Sequence, residues 1–178
     1  FSWDAHITVM ENKVDNVIID NECSAAFTGH RFLPYDKRAD IKAELENLIK
    51  EWYKEGITHY YCGMAWGFDL LAAECVLSVK KEFPQIVLIA VIPFRKQCEM
   101  WNENSRKRYH AILRQADIQI ILSEKYYKGC LLVRNDFMLE HANKLVAYYD
   151  GQQRGGTFYT YYKARQKDMP ITNLYKIL

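Results

Sequence analysis

A glycine-rich segment late in the chain has the residue types that hold an anion. Asp150 and Gly151 end an apolar run, and a helical pattern begins near Gly155, Gly156 and Thr157. Glycine allows backbone N–H groups to approach a phosphate, and a helix N-terminus adds unpaired donors and a partial positive charge. We therefore expect Gly155, Gly156 and Thr157 to contact a phosphate, and Asp150 and Gly151 to contact the same ligand. The spacing matches neither the dinucleotide fingerprint nor the P-loop.

A second loop, FTGHRF, offers further donors to an anion. Its glycine permits a tight exit from the preceding strand, and arginine presents a rigid fork of donors that suits phosphate or carboxylate. A plain turn with a surface arginine would give the same pattern. The candidate ligand contacts in this loop are Thr28, Gly29, His30 and Arg31.

A third loop, CGMAWGFD, leads into another helical pattern, whose free N–H groups would point toward the ligand. Its aspartate lies in the first helical turn, where it either stabilises the helix end or accepts a hydrogen bond from a ribose hydroxyl. The candidate ligand contacts in this loop are Gly63, Met64, Gly67 and Asp69.

One charged residue, Arg134, lies within an otherwise apolar helical pattern. A buried arginine needs an anionic partner, whereas an arginine whose stem covers apolar surface is the commoner case. We include Arg134 among the candidate ligand contacts. The five histidines are not spaced to form a metal site with one another. The sequence thus predicts no metal and no required cofactor.

Strand and helix patterns alternate from residue 24 onwards, which predicts a Rossmann-like three-layer α/β/α sandwich with a mostly parallel sheet. Each of the three loops follows a predicted strand. Parallel sheets bind ligands beyond the carboxyl ends of their strands, so the loops are expected to meet there. Residues 1–22 are predicted to form an extension with a β-hairpin in 7–19, and residues 23–178 to form the domain. Helices are predicted over residues 36–55, 68–83, 97–116, 130–142 and 156–168.

The composition is that of an ordinary globular protein, with 49% hydrophobic and 26% charged residues and a net charge of +2. The near-neutral charge makes a nucleic-acid partner an unfavoured expectation. Five scattered cysteines and the lack of a long apolar run indicate a cytoplasmic protein outside the membrane. A chain that begins at Phe1 rather than methionine is consistent with a piece of a longer protein. Homo-oligomerisation is left open.

Five segments, taken in order, resemble the YpsA-like branch of the SLOG superfamily, which also contains DprA and the LOG phosphoribohydrolases. They are FTGHR, GMAWGFDLLAAE, PFRKQCEMWNENSRKRYHAIL, RNDFM and DGQQRGGTFYT. The resemblance covers about residues 24–177. It implies a Rossmann-like sheet with a pocket for a nucleotide or nucleotide-derived ligand at the strand ends. In this family the segment that matches Phe94, Gln97, Trp101 and Tyr109 borders the pocket, so Trp101 either stacks on a base or belongs to the core.

The chain departs from the LOG pattern at a position that matters for catalysis. LOG proteins have a glutamate three residues after the threonine of P-G-G-x-G-T-x-x-E, whereas this chain has Thr160 and no proline before the glycines. Cleavage of an N-glycosidic bond needs a carboxylate, for which Asp69, Glu74 and Asp150 are weak candidates.

The sequence therefore favours the binding or sensing of a nucleotide-derived ligand, of the ADP-ribose or nucleoside-phosphate type. Two alternatives stay open. The first is a nucleoside-monophosphate phosphoribohydrolase that uses a displaced carboxylate. The second is a DprA-like module that binds single-stranded nucleic acid.

Overall fold

The computed structural model describes residues 6–9 and 21–176, which form one α/β sheet structure. Its strands are β1 (His6–Val9), β2 (Ser24–Gly29), β3 (His59–Cys62), β4 (Val87–Ile92), β5 (Ile118–Ile121), β6 (Lys144–Tyr148) and β7 (Ile171–Asn173). Its helices are α1 (Arg38–Lys54), α2 (Phe68–Lys80), α3 (Glu103–Gln115), α4 (Cys130–His141) and α5 (Gly155–Gln166).

The strands form a single sheet in the order β1-β5-β4-β3-β2-β6-β7. Neighbours from β5 to β7 run parallel, and β1 pairs antiparallel with β5 at the edge. The predicted mostly parallel, Rossmann-like sheet is thus confirmed. The hairpin predicted in 7–19 falls largely on residues 10–19, which lie outside the described residues. The division of the chain between residues 22 and 23 stays a prediction.

Helices cover both faces of this sheet. α1, α2 and α3 pack against one face and α4 and α5 against the other. Successive residues of a strand point to opposite faces, so Phe27 belongs to the first of these two cores and Ala26 to the second. Strand β4 is buried along nearly its whole length. Its continuous apolar sequence follows from this burial on both faces.

The helix predicted over residues 36–55 corresponds to α1, whose buried residues Ile41, Leu45, Ile49 and Trp52 lie at helical spacing on one face. The predicted helix over 97–116 is wrong at its start, because α3 begins only at Glu103. The side chain of Asn102 accepts a hydrogen bond from the N–H of Ser105 at 2.9 Å and caps the helix there. Residues 95–100 form turns instead.

The strand order places a topological switch between β2 and β6. From β2 the chain proceeds outward through β3, β4 and β5, and it then crosses back to form β6 and β7 on the other side of β2. Crossovers on either side of such a point diverge and leave a crevice at the carboxyl ends of the strands. None of the helices in 6–9 and 21–176 is both long and apolar enough to cross a bilayer.

Candidate functional site

A cavity of about 560 Å³ lies beyond the carboxyl end of β2. Its walls come from the end of β2 and the loop after it, from the start of α4 and from the start of α5. Parallel α/β sheets bind nucleotides in this position. Nine of the ligand contacts predicted from the sequence line the cavity together: Thr28, Gly29, His30, Arg31, Asp69, Arg134, Gly155, Gly156 and Thr157.

Arg134 is the most deeply buried charge in the cavity wall, with only 4% of its surface exposed. Its Nε donates to Oδ1 of Asn135 at 2.8 Å, and its Nη1 donates to the backbone oxygen of Gly63. Nη2 has no acceptor among the described residues, and no carboxylate in residues 6–9 and 21–176 lies within 4.0 Å of the guanidinium. Burial lowers the pKa of Arg134, and the charge of Asp69 opposes that effect. The arginine is therefore buried, not extended over the surface.

The start of α5 provides a second set of donors. The N–H groups of Gly155, Gly156 and Thr157 have no acceptor in the part of the chain that the structure describes. The first turn contains no acidic residue, and no side chain caps it. A Cβ added to Gly156 would meet only Nδ2 of Asn135, at 3.7 Å, so the space beside this backbone is open. Unpaired N–H groups beside an open cavity are a favourable environment for an anion.

Asp69 lies in the same cavity wall and is 5% exposed. Its Oδ2 accepts a hydrogen bond from the backbone N–H of Ala65 at 3.1 Å, so it stabilises the loop before α2. Burial raises the pKa of this carboxyl to about 6, although Arg134, the Ala65 N–H and Arg31 all lower it. A carboxyl with this pKa exchanges a proton near neutral pH and can accept a hydrogen bond from a ribose hydroxyl.

Six of the predicted contacts do not line the cavity: Gly63, Met64, Gly67, Trp101, Asp150 and Gly151. Two of these glycines, Gly63 and Gly67, pack against residues that do line the cavity. A Cβ on Gly63 would lie 2.7 Å from the guanidinium carbon of Arg134, and a Cβ on Gly67 would lie 2.0 Å from the backbone oxygen of Arg31. The N–H of Phe68, at the start of α2, donates to His30 O at 3.2 Å and is not directed at the cavity.

The loop after β6 is held against the loop after β2. Nε2 of His30 lies 3.0 Å from both the backbone nitrogen and Oδ1 of Asp150. Oδ1 of Asp150 also accepts a hydrogen bond from the Gln152 N–H at 3.0 Å, which is the main cause of its lowered pKa. Gly151 has a φ of +86°, which suits glycine. Asp150 and Gly151 thus shape the approach to α5 from outside the cavity.

The other residues that the sequence singled out have partners elsewhere. The ring of Trp101 packs edge-to-face against Tyr109, with 5.4 Å between the centroids. Glu74 forms a 2.7 Å ion pair with Arg108 outside the cavity. Thr160, at the position of the LOG glutamate, is buried and donates to the backbone oxygen of Gly156 at 2.9 Å. Of the three candidate catalytic carboxylates, Asp69 lines the cavity and the other two do not.

Several lining residues were missed from the sequence. They come mostly from the start of α4 and the loops before α4 and α5, and the chief ones are Tyr126, Cys130, Leu131, Leu132, Asn135 and Arg154. Asn135 is adjacent to Arg134 in the sequence, and a polar residue beside a candidate buried charge is a signal that sequence reasoning could have used. The apolar residues carry no such signal, because the same types fill every core.

Comparison with known proteins identifies the family of this chain. A model of the YpsA family, described as the YspA SLOG family, matches residues 34–177. The chain belongs to this family.

Relatives within the family are similar over most of their length. A UPF0398 protein of Halalkalibacterium halodurans is 32% identical over 147 residues, which cover 79% of this chain and 74% of the relative. The UPF0398 protein YpsA of Bacillus subtilis is 28% identical over 133 residues, which cover 72% of this chain and 74% of the relative.

A solved structure of DNA processing protein A from Helicobacter pylori, described for its single-stranded DNA binding mode, superimposes with a TM-score of 0.66. It is 18% identical to this chain, and the match covers 98% of this chain and 73% of that one. At this identity the likeness shows the shared Rossmann-like fold. Among residues 6–9 and 21–176, no group of three or more histidines, cysteines, aspartates or glutamates is arranged to hold a metal ion.

The raised pKa of Asp69 predicts a pH-dependent stability that Asp69→Asn removes. The folded protein holds this proton more tightly than the unfolded chain does, since the pKa is about 6 against the usual 3.8. The contribution of Asp69 to the free energy of unfolding is therefore fully present below pH 3.8 and is lost as the pH rises through about 6. When the pH is lowered from 7 to 5, the free energy of unfolding of the wild type should rise by about 1 kcal/mol relative to that of Asp69→Asn.

Urea unfolding of both proteins at the two pH values measures this difference. Asparagine can still accept the hydrogen bond from the Ala65 N–H, so the loop before α2 is preserved. A stability difference that does not change between pH 7 and pH 5 would contradict the raised pKa.

Proposed function

We propose that this protein binds a nucleotide-derived, phosphate-containing ligand in the cavity at the carboxyl ends of the parallel strands. The observation that carries the proposal is Arg134, a buried guanidinium that lines the cavity without an ionic partner within 4.0 Å in the described residues. An unpaired buried charge costs several kcal/mol, and a bound anion would offset that cost. The ligand is bound and sensed, and no cofactor is required.

The cavity provides complementary groups for the two polar parts of such a ligand. The free N–H groups of α5 and the guanidinium of Arg134 suit a phosphate, and the exposed Arg31 and Arg154 add positive charge at the rim. Asp69 suits the hydroxyl groups of a ribose, because a carboxylate is an acceptor only. A nucleoside monophosphate or an ADP-ribose-type molecule contains both parts.

Replacement of the buried guanidinium tests the proposal directly. Arg134→Met keeps much of the side-chain volume and removes a charge-assisted contact, so we expect AMP, ADP-ribose or ribose 5-phosphate to bind about 10-fold to 100-fold more weakly. Isothermal titration calorimetry at low salt measures the affinities. Arg108→Met is the matched control, because Arg108 pairs with Glu74 at 2.7 Å and does not line the cavity.

The proposal is contradicted if the wild type binds none of these phosphates. It is also contradicted if Arg134→Met and Arg108→Met alter the affinity equally. The unfolding midpoint of each variant shows whether a loss of binding reflects a loss of folded protein.

The start of α5 is tested by Gly156→Val. Its Cβ would extend into open space, 3.7 Å from Nδ2 of Asn135, so we expect the fold to be retained. The added methyl groups would occupy the space that a phosphate needs beside the N–H groups, and we expect the affinity for ribose 5-phosphate to fall by more than about tenfold. Unchanged affinity in a folded variant would place the phosphate elsewhere in the cavity.

One observation favours hydrolysis of the ligand as a second candidate function. Asp69 is a buried carboxyl with a pKa of about 6 in the cavity wall, and general bases in enzymes have pKa values near the working pH. It could activate water toward an N-glycosidic bond in place of the glutamate that Thr160 replaces. A nucleoside-monophosphate phosphoribohydrolase would release a free base and ribose 5-phosphate.

Turnover by the wild type and by Asp69→Asn decides between sensing and hydrolysis. Each protein is incubated with AMP, GMP, CMP and UMP, and the free base is measured by chromatography. Hydrolysis predicts release by the wild type and a loss of at least 100-fold in Asp69→Asn, since a general base contributes about that much or more. Binding without release of base by the wild type supports sensing alone.

The likeness to DNA processing protein A makes single-stranded nucleic acid a partner to include in the binding panel. A net charge of +2 offers little general attraction to a polyanion. Tight binding of an oligothymidylate with a steep salt dependence, together with no affinity for mononucleotides, would replace the proposed ligand by nucleic acid.

A further inference from the structure

We infer that Tyr126 stacks on an aromatic base of the bound ligand, so that the cavity recognises a nucleotide rather than a sugar phosphate. This inference rests on the proposed function and adds the chemical class of the part of the ligand that is not phosphate. Tyr126 lines the cavity and is nevertheless 65% exposed. A large ring that is exposed to water beside a cavity is suited to stack on a planar group of a ligand. The face of the ring and the face of the planar group are then both removed from water, which is favourable.

The ring is held in place before any ligand arrives. Tyr126 packs edge-to-face against Phe94, with centroids 5.4 Å apart and an interplanar angle of 80°. An edge-to-face pair leaves ring surface for a further partner. Because Phe94 follows β4 and Tyr126 follows β5, the contact links the loops of two neighbouring strands.

The loop that presents Tyr126 is fixed by polar contacts as well. The guanidinium of Arg95 forms two 2.7 Å hydrogen bonds with the carboxylate of Glu124, and the Arg95 N–H donates to Ser123 O at 3.1 Å. The hydroxyl of Ser123 donates to Lys125 O at 2.7 Å. Exposed ion pairs contribute little to stability singly, but a bidentate pair fixes geometry. A positioned aromatic ring loses little conformational freedom when it binds a ligand.

The start of α4 adds apolar side chains to the cavity wall. Leu131 and Leu132, in the first turn of α4, line the cavity together with Tyr126. In the sheet, β4, β3 and β2 lie between β5 and β6. At the usual spacing of neighbouring strands, β5 and β6 are therefore roughly 19 Å apart. The loop that contains Tyr126 and the glycine-rich loop therefore follow strands on opposite sides of β2. The stacking face of a base and the charged phosphate of one ligand would suit these two sides.

Tyr126 takes the role that the sequence offered to Trp101. The tryptophan ring packs against Tyr109 and does not line the cavity, so it is not available to a ligand there. The family resemblance left Trp101 either stacked on a base or in the core, and its contact with Tyr109 agrees with the core role. The position of the ring relative to the cavity decides between the two roles.

A comparison of ligands with and without a base tests the inference. The affinities of ribose 5-phosphate and of AMP, GMP, CMP and UMP are measured by calorimetry for the wild type, Tyr126→Ala, Tyr126→Phe and Tyr127→Ala. We expect at least one nucleotide to bind the wild type more tightly than ribose 5-phosphate does. Tyr126→Ala should lower the affinity for that nucleotide by about 5-fold to 100-fold and change the affinity for ribose 5-phosphate by no more than about twofold. Tyr126→Phe should behave as the wild type, because its ring is retained.

Tyr127 is the matched control, since it is 43% exposed and adjacent in the chain but does not line the cavity. Tyr127→Ala should leave every affinity unchanged. If the nucleotides and ribose 5-phosphate bind and Tyr126→Ala weakens them equally, or weakens neither, the stacking role is wrong while the phosphate site stands. If no phosphate binds the wild type, the proposed function fails and the inference fails with it.

Discussion

The buried positive charge of Arg134 is the constraint on which the site depends. Its guanidinium is fixed by Asn135 and by the backbone oxygen of Gly63, yet no carboxylate among the described residues approaches within 4.0 Å. Asp69 opposes the effect of burial on this charge from a greater distance. The protein thus maintains a strong donor at the base of a cavity, and Gly63 has no side chain because a Cβ would collide with that donor.

The fold brings the remaining groups to this charge. The switch between β2 and β6 opens the crevice, and α4 and α5 both start at its rim. Gly67 allows α2 to contact the backbone of Arg31, and His30 connects this loop to Asp150 in the loop after β6. These contacts join residues that are distant in the sequence, and they hold the loops of separate crossovers at fixed distances. A site with several converging donors needs such rigidity, because a donor that must be ordered on binding loses affinity.

Sequence reasoning predicted the sheet, most of the helix boundaries and the loops that meet at the cavity, because hydrophobic periodicity and glycine position report local structure. It could not separate glycines that border open space from those that pack against another residue. Gly156 borders open space, whereas Gly63 and Gly67 border two arginines. Nor could it assign Trp101 to the core or find Tyr126 beside the cavity, since both placements depend on contacts between residues that are distant in the sequence. The early start predicted for α3 has a related cause, because residues 97–102 mix polar and apolar side chains as a helix does but form turns before Asn102.

The most direct measurement is a crystal structure of the protein with ribose 5-phosphate bound. We expect phosphate oxygens within about 2.7–3.2 Å of the Arg134 guanidinium and of at least one N–H group at the start of α5. A phosphate bound elsewhere, with Arg134 contacting only Asn135 and Gly63, would contradict it.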